Sequence, residues 1–403
     1  RQLTEAESFA TIASLLGATY PEAALDKAWR QILFCQHHDA ITGSEGSMTY
    51  LDLLKAWREA NQLAGEVLDN SLGYLAGAVE TTAAGEATVP LVVFNPSFTD
   101  RSDFVELVLE RAPFADGGVR LATGDGRAVP CDLLARNEAS LKMRFWARDL
   151  PAFGYRVYYA SSTSQTPLAP VPALALITLE NDFWRLVVDP AKGGCITSLR
   201  DRKTLTECLD VKGGHYGNEV ISLVEDGTQA EAPWSIYTTG QHWSSANWPA
   251  QVSVEYGRTC TRVLITSPER RGSYWEWAGN KPARQIVDGQ VLCALRQELL
   301  LYPHSPIIHC KTTLLNYSET NFMYKVAVPA LLAGRVPLFE ERFYTMGRDF
   351  NTEPFNYTLH ANPAEPGREY PTTDFAGIGT PASLAVAGKP VFALSTAEII
   401  TED

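Results

Sequence analysis

The sequence predicts an α+β multidomain chain: a three-helix bundle followed by a small β-sandwich and a large β-sandwich. Two observations carry that expectation. Residues 1–80 repeat apolar side chains at spacings of three, four and seven, the period of helices packed on one face. After Thr81 that period disappears, and short apolar runs alternate with Gly, Asn and Pro turns, the texture of β-structure. Helices first and strands afterwards argue for segregated units rather than an alternating α/β sheet.

Taken in order, Thr4 followed by Glu7 fits a capping box that opens a short first helix ending near Gly17. Pro21 sits where a first-turn proline is tolerated, ahead of a second helix. There Leu25, Ala28, Trp29, Ile32 and Leu33 are predicted to share one face. A third helix, from about Ser47 to Ala78, places Leu54, Trp57, Ala64, Leu68 and Leu75 on its inner side. The break between the second and third helices is His38-Asp39-Ala40-Ile41-Thr42-Gly43-Ser44. Residues 1–80 thus form the bundle.

Residues 88–160 read as the small β-unit, with strands at Leu91–Phe94 and Phe104–Leu109 and turns at Gly117-Gly118 and Gly124-Asp125-Gly126. Ser161–Pro172 has linker composition. Residues 173–403 read as the large one. Its predicted strands are Leu174–Glu180, Phe183–Asp189, Cys195–Leu199 after a Gly193-Gly194 turn, Val263–Thr266, Val291–Leu301 and Ile307–Leu315. The large unit is expected to continue past Asp403.

Composition narrows the function classes. A formal net charge of −13 opposes nucleic-acid binding, which needs a basic face. No apolar run reaches the roughly 20 residues of a membrane-spanning helix, and Arg1-Gln2-Leu3-Thr4 shows no signal-peptide core. Seven cysteines without a C-x-x-C pair suggest free thiols and a cytoplasmic protein.

One stretch carries chemistry: Cys35-Gln36-His37-His38-Asp39-Ala40-Ile41-Thr42-Gly43-Ser44. Neutral imidazole is a common ligand of zinc and similar metals, and a neighbouring carboxylate can ligate, orient the ring or bind hydroxyls. Neighbours on a helix point about 100° apart, so one histidine is expected to ligate and the other to support it. Two such groups fall short of the three protein ligands a zinc centre requires. A bland alternative has the histidines interacting with a helix C-terminal dipole, with Asp39 as a turn residue.

Elsewhere, Trp243, Trp248, Trp275, Trp277, Tyr256 and Tyr274 offer aromatic surface for sugar stacking, although core or edge packing is the more ordinary role of such residues. His304 and His309 are expected to be satisfied strand histidines, and Glu340-Glu341-Arg342 a solvated charge run.

The string Trp29 to Ser44, with its core Gln-His-His-Asp-Ala-Ile-Thr-Gly, resembles the signature of glycoside hydrolase family 38 α-mannosidases. The order of helical bundle, small β-domain and large β-domain is similar to the part of that family downstream of its catalytic barrel. Val92–Pro96 resembles the opening of its small domain, and Leu179–Pro190 with Ile196–Leu199 the opening of its large, mutarotase-like sandwich. The resemblance implies that His38 ligates one divalent metal, usually zinc, and that Asp39 contacts sugar hydroxyls, with His37 beside them. Ser44 stands where many members carry threonine.

Retaining glycosidases use two carboxyl groups about 5–5.5 Å apart. The resemblance places both, with the other metal ligands, upstream of residue 1. The expectation is therefore a portion of a retaining α-mannosidase acting on α-mannosides or oligosaccharides, inactive by itself. The alternatives are a non-catalytic carbohydrate-binding or scaffold protein of the same domain order, and another sugar enzyme with its own carboxylate pair in the large unit.

Overall fold

The computed structural model describes residues 1–41, 45–81, 88–225, 238–272, 275–278, 281–285, 290–315, 322–331, 336–341, 344–347, 375–379, 392–395 and 399–402. The side chains of residues 47, 225, 271–292 and 336 onward lie outside that description. Two compact units emerge, Arg1–Leu168 and Ala169–Asp403. Each combines its elements around its own core, and together they give helices followed by several antiparallel sheets.

The N-terminal unit opens with α1 (Gln2–Leu15), α2 (Glu22–Cys35), the four-residue α3 (His38–Ile41) and the long α4 (Ser47–Ala78). Helix α1 starts earlier than expected. Arg1 occupies its N-cap without a side-chain hydrogen bond, so Thr4 lies inside the helix and forms no capping box. Glu7 instead accepts the indole N–H of Trp29 at 3.2 Å, tying α1 to α2. The helix stops at Gly17, whose φ of 103° is a left-handed conformation that suits glycine.

The core between the helices is built from small residues. Ala6, Ala10, Ala28, Ala60 and Ala64 are buried beside Leu3, Leu25 and Val67, which lets the helix axes approach closely. This seam decides the register of α4. Leu53, Ala60, Ala64, Val67 and Leu75 point inward, whereas the predicted inner residue Leu54 is 39% exposed. Leu33 likewise turns out to be exposed. The helical period was right: Ala64 and Leu75 are buried and Trp29, Ile32, Trp57 and Leu68 pack against the core, while Leu54 and Leu33 fall at the edge of the predicted faces.

Strands β1 (Thr88–Phe94), β2 (Arg101–Glu110), β3 (Gly117–Thr123), β4 (Ala128–Val129), β5 (Cys131–Arg136), β6 (Ser140–Leu150) and β7 (Tyr155–Ser164) complete this unit. They form two antiparallel sheets, β1-β7-β3-β4 and β2-β6-β5. Both sheets contribute to one apolar cluster that includes Leu121, Leu133, Met143, Phe145 and Tyr158. Phe9 of α1 meets Phe94 of β1 edge-on at 5.7 Å between centroids, joining helices to sheet. Part of the expected linker is strand: Ser161 and Ser164 pair with Thr88 and Gly117, and Pro172 pairs with Ser253.

In the C-terminal unit a seven-stranded sheet contains Val171–Ala173, Gln251–Tyr256, Thr261–Thr266, Gln290–Leu301, Ile308–Leu315 and Ile399–Glu402, in that spatial order, with Arg270–Gly272 also paired to Gln290–Leu301. A three-stranded sheet of Ile177–Glu180, Trp184–Asp189 and Cys195–Asp201 shares its main apolar cluster, in which Leu186, Val188, Val263 and Ile265 are buried. The expected strand from Leu174 is split, and Leu174 itself is 98% exposed in the break.

Two polar side chains, Asn181 buried and Glu207 half-buried, brace loops. Asn181 donates to the carbonyls of Tyr302 and Ser305 at 2.8 and 2.9 Å, while its oxygen accepts from the amides of Phe183 and Trp184. Glu207 is held by Ser198 Oγ at 2.6 Å and by the amides of Leu199 and Leu209 at 2.9 and 3.1 Å. Burial pushes the Glu207 carboxyl upward, but the hydrogen bonds from Ser198, Leu199, Leu209 and Arg200 together outweigh it, leaving the pKa below the usual 4.5.

A carboxyl depressed in the folded state stabilises fully above its unfolded pKa, and that contribution is lost as pH falls through the folded value. The stability difference between the parent chain and Glu207→Gln, from urea midpoints, is therefore expected to be largest near neutral pH and to shrink below about pH 4.5. A difference independent of pH would reject this account.

Candidate functional site

The chemistry-bearing segment sits where α2 ends and α3 begins. The amide of Gln36 still bonds back into α2, to the carbonyls of Ile32 and Leu33. One residue later the carbonyl of His37 accepts from the amides of Ala40 and Ile41 at 3.0 and 3.1 Å, opening α3. His37 is therefore the N-cap of the short helix, and its Nδ1 accepts a long hydrogen bond of 3.4 Å from the Asp39 amide.

That placement brings the two rings closer than neighbours within one helix would stand. Because His37 stands between two helices, the 100° separation of helical neighbours does not apply to it. Its ring lies 4.3 Å from that of His38, centroid to centroid. Asp39 Oδ2 is 3.3 Å from His38 Nε2 and 3.9 Å from His37 Nδ1. One donor atom from each of the three residues falls within 4.8 Å of the others. The bland alternative, histidines at the end of a long helix, also changes: His38 and Asp39 belong to a helix of their own.

The cluster is reachable and supported from beneath. His38 is 80% exposed, His37 53% and Asp39 48%. Below them Cys35, Ala40 and Leu53 are buried against Tyr50 and Trp57. The Tyr50 hydroxyl donates to the Ala40 carbonyl at 2.8 Å, pinning α3 to α4. Burial pushes the Cys35 thiol upward, so it serves as packing rather than as a nucleophile. Tyr50 and Leu53 went unremarked in the sequence, although they stand three apart within the period of α4. Thr42, Gly43 and Ser44 lie outside the described residues.

The donor set suits a divalent metal of the zinc type, which favours imidazole nitrogen and carboxylate oxygen. Two ligands of one tetrahedral zinc stand roughly 3.3–3.5 Å apart, given metal–ligand bonds of about 2.0–2.2 Å. The His38–Asp39 spacing of 3.3 Å falls in that range, whereas His37 Nδ1, at 3.9 Å from Asp39, falls outside it.

Other predicted residues fall elsewhere. His304 lies in a turn, not a strand, and pairs with Asp182 at 2.8 Å. His309, on Ile308–Leu315, packs edge-on against Tyr302 at 5.5 Å, and burial lowers its pKa. Trp243 packs partly buried on a core cluster, whereas Trp248 is 51% and Tyr256 62% exposed. Tyr274 and the side chains of Trp275, Trp277, Glu340, Glu341 and Arg342 lie outside the described residues. All seven cysteines are free thiols. No described helix is long and apolar enough to cross a membrane.

Residues 1–75, which contain the cluster, match the α-mannosidase middle domain family. No curated protein matches the chain. Among solved structures, an α-mannosidase from Enterococcus faecalis V583 aligns with a TM-score of 0.72 and 14% identity, covering 93% of this chain and 46% of that one. A protein of glycosyl hydrolase family 38 from Enterococcus faecalis aligns with a TM-score of 0.66 and 14% identity, covering 86% of this chain and 46% of that one. The chain thus spans just under half the length of these relatives. It resembles the family 38 α-mannosidases, by sequence in its first 75 residues and by fold over most of its length.

Proposed function

We propose that the His37–His38–Asp39 cluster forms one wall of a metal-assisted, retaining α-mannosidase site. The observation that carries this reading is the gathering of two imidazoles and a carboxylate within 4.8 Å, inside the segment that matches the α-mannosidase middle domain. His38, the most exposed of the three, is assigned as the ligand of one divalent metal, zinc in the first instance. Asp39 is assigned to sugar hydroxyls. His37 stands beside it as a substrate-binding and capping residue.

When bound, the metal supplies a Lewis acid and a template for sugar hydroxyls. The work of this chain is to hold His38 at the edge of a rigid support, through the Tyr50 and Leu53 contacts. The nucleophile and acid/base carboxyls, and the remaining metal ligands, are assigned to residues outside this chain. The chain alone is accordingly inactive and binds zinc weakly. In this reading the helices form a three-helix bundle (1–80), followed by a small β-sandwich (88–160) and a large mutarotase-like one (173–403). The substrate is an α-mannoside or oligosaccharide, nucleic acid and membrane are not partners, and the free thiols fit a cytoplasmic protein.

In the intact protein, His38→Ala is expected to lower bound zinc, measured by elemental analysis, and to cut hydrolysis of an aryl α-mannoside by on the order of 100-fold or more. An intact protein inactive on aryl α-mannosides, with or without added zinc, would reject the assignment. Retained mannoside binding without hydrolysis would point instead to a carbohydrate-binding protein of the same architecture.

A further inference from the structure

We propose that the C-terminal unit carries a pyranose-binding platform, with Trp248 as the stacking face and His215, Tyr216 and Lys192 as its polar rim. Three chain segments are stitched together there. The Ala250 amide donates to the Pro190 carbonyl at 2.9 Å. The Val220 amide donates to Ser245 Oγ at 3.0 Å, and Ser244 Oγ donates to the Glu219 carboxylate. Gly193 abuts the Ser245 carbonyl so closely that a Cβ would come within 2.1 Å of its oxygen. Residues around 190–193, 215–219 and 244–250 therefore form one rigid corner.

What this corner presents is unusual for a surface. Trp248 leaves half of a large indole in solvent, with 51% of the residue exposed. His215 is 54% exposed, yet its ring is fixed: Nδ1 lies 3.3 Å from the Glu219 carboxylate. Glu219 is only 1% exposed, and it also accepts the Tyr216 amide at 2.8 Å. Burying a carboxylate costs several kcal/mol unless it is well partnered. The two oxygens of Glu219 accept separately from Ser244 Oγ and the Tyr216 amide, a pair of bonds that an amide with one acceptor oxygen could not reproduce. The same carboxyl group faces His215 Nδ1, which turns that nitrogen inward and leaves Nε2 with no hydrogen bond among the described residues.

A second observation points the same way. Asn218, next to Glu219, has a φ of 60° and is 3% exposed. Neither atom of its side-chain amide is hydrogen-bonded among the described residues. Backbone strain and unsatisfied polarity persist where a site over-determines its surroundings. The Lys192 ammonium lies 5.7 Å above the Tyr216 ring, placing a donor on the same rim.

An exposed indole carried on the same corner as a fixed imidazole, a tyrosine and an ammonium matches a hexopyranose, whose C–H face stacks on an aromatic ring while its hydroxyls hydrogen-bond at the edge. The choice of mannose as the sugar rests on the proposed function; the platform itself does not.

The test uses the full chain carrying His38→Ala and a soluble α-mannan, read by affinity electrophoresis and indole fluorescence. Retardation is expected, and Trp248→Ala is expected to weaken it about tenfold. His215→Ala should weaken it several-fold, while Trp248→Phe, which keeps an aromatic face, should retain most of it. Melting temperatures of the Trp248 variants should match that of the parent, since the side chain is exposed. Absence of retardation, or Trp248→Ala and His215→Ala binding like the parent, overturns the platform. Loss of mannan binding alone leaves aryl α-mannoside hydrolysis by the intact protein as a separate result, so the two proposals fail independently.

Discussion

Truncating Arg144 to alanine is expected to destabilise the N-terminal unit by about 3–5 kcal/mol, the cost of breaking a buried ion pair. Arg144 lies on β6 directly opposite Glu106 of β2 and Asp132 of β5. Its guanidinium is 3.4 Å from Glu106 and 3.9 Å from Asp132. Arg144 and Asp132 are each only 1% exposed, so the substitution takes the cation from beside a carboxylate that water cannot reach. The contrast with Lys55–Asp52 decides the magnitude: those partners are 77% and 80% exposed, and such pairs contribute at most about 1 kcal/mol. The check is urea denaturation of Arg144→Ala beside the double variant Arg144→Met with Asp132→Leu. The double variant should recover most of the loss, because an apolar pair of similar volume has no charge to desolvate. A single variant costing less than about 1 kcal/mol would show that the pair is not structurally required.

Gly193→Ala is expected to cost about 3 kcal/mol or more, and to cost more than Gly194→Ala. Both glycines adopt left-handed backbone, with φ of 67° and 72°, which penalises any other residue by roughly 1–2 kcal/mol. The difference lies in what the added methyl meets. At Gly193 it would come within 2.1 Å of the Ser245 carbonyl, backbone fixed by the hydrogen bonds of its own short turn. At Gly194 it would meet the Ile265 side chain at 2.6 Å, and a side chain can shift at an overpacking cost of about 1–3 kcal/mol. Thermal melts of the two variants give the order directly. Equal costs would mean that the approach to Ser245 relaxes freely. Because Gly193 holds the 190–193 turn against the 244–250 segment, its variant should also weaken mannan binding.

Much of this protein was legible before its structure. Local chemistry places the helix ends: Gly17 can adopt the left-handed backbone that stops α1, Pro21 cannot continue a helix but can precede one, and the apolar period of α4 runs from Ser47 to Ala78 as expected. The turn at Gly193-Gly194 was equally visible, since few other residues tolerate that backbone. The His37-His38-Asp39 triplet was identifiable as the functional candidate because its members are consecutive, so no long-range information was needed to bring them together.

What the sequence could not supply is everything that depends on a partner far along the chain. Which edge residues of α2 and α4 turn inward was set by the alanines they pack against, so Leu33 and Leu54 were misassigned. The two histidines were placed at the end of the second helix and expected to point apart as helical neighbours do. The packing of Ala40 on Leu53 and its hydrogen bond from Tyr50 tie α3 to α4, where the three donor groups lie within 4.8 Å of one another. Asn181 bonds to residues more than 120 positions away, and Ser244 reaches Glu219 across 25. A periodic pattern records which residues avoid water, whereas the register between elements follows from how closely two surfaces fit. That fit exists only once both are folded, and it is what turns a local His-His-Asp string into a candidate site.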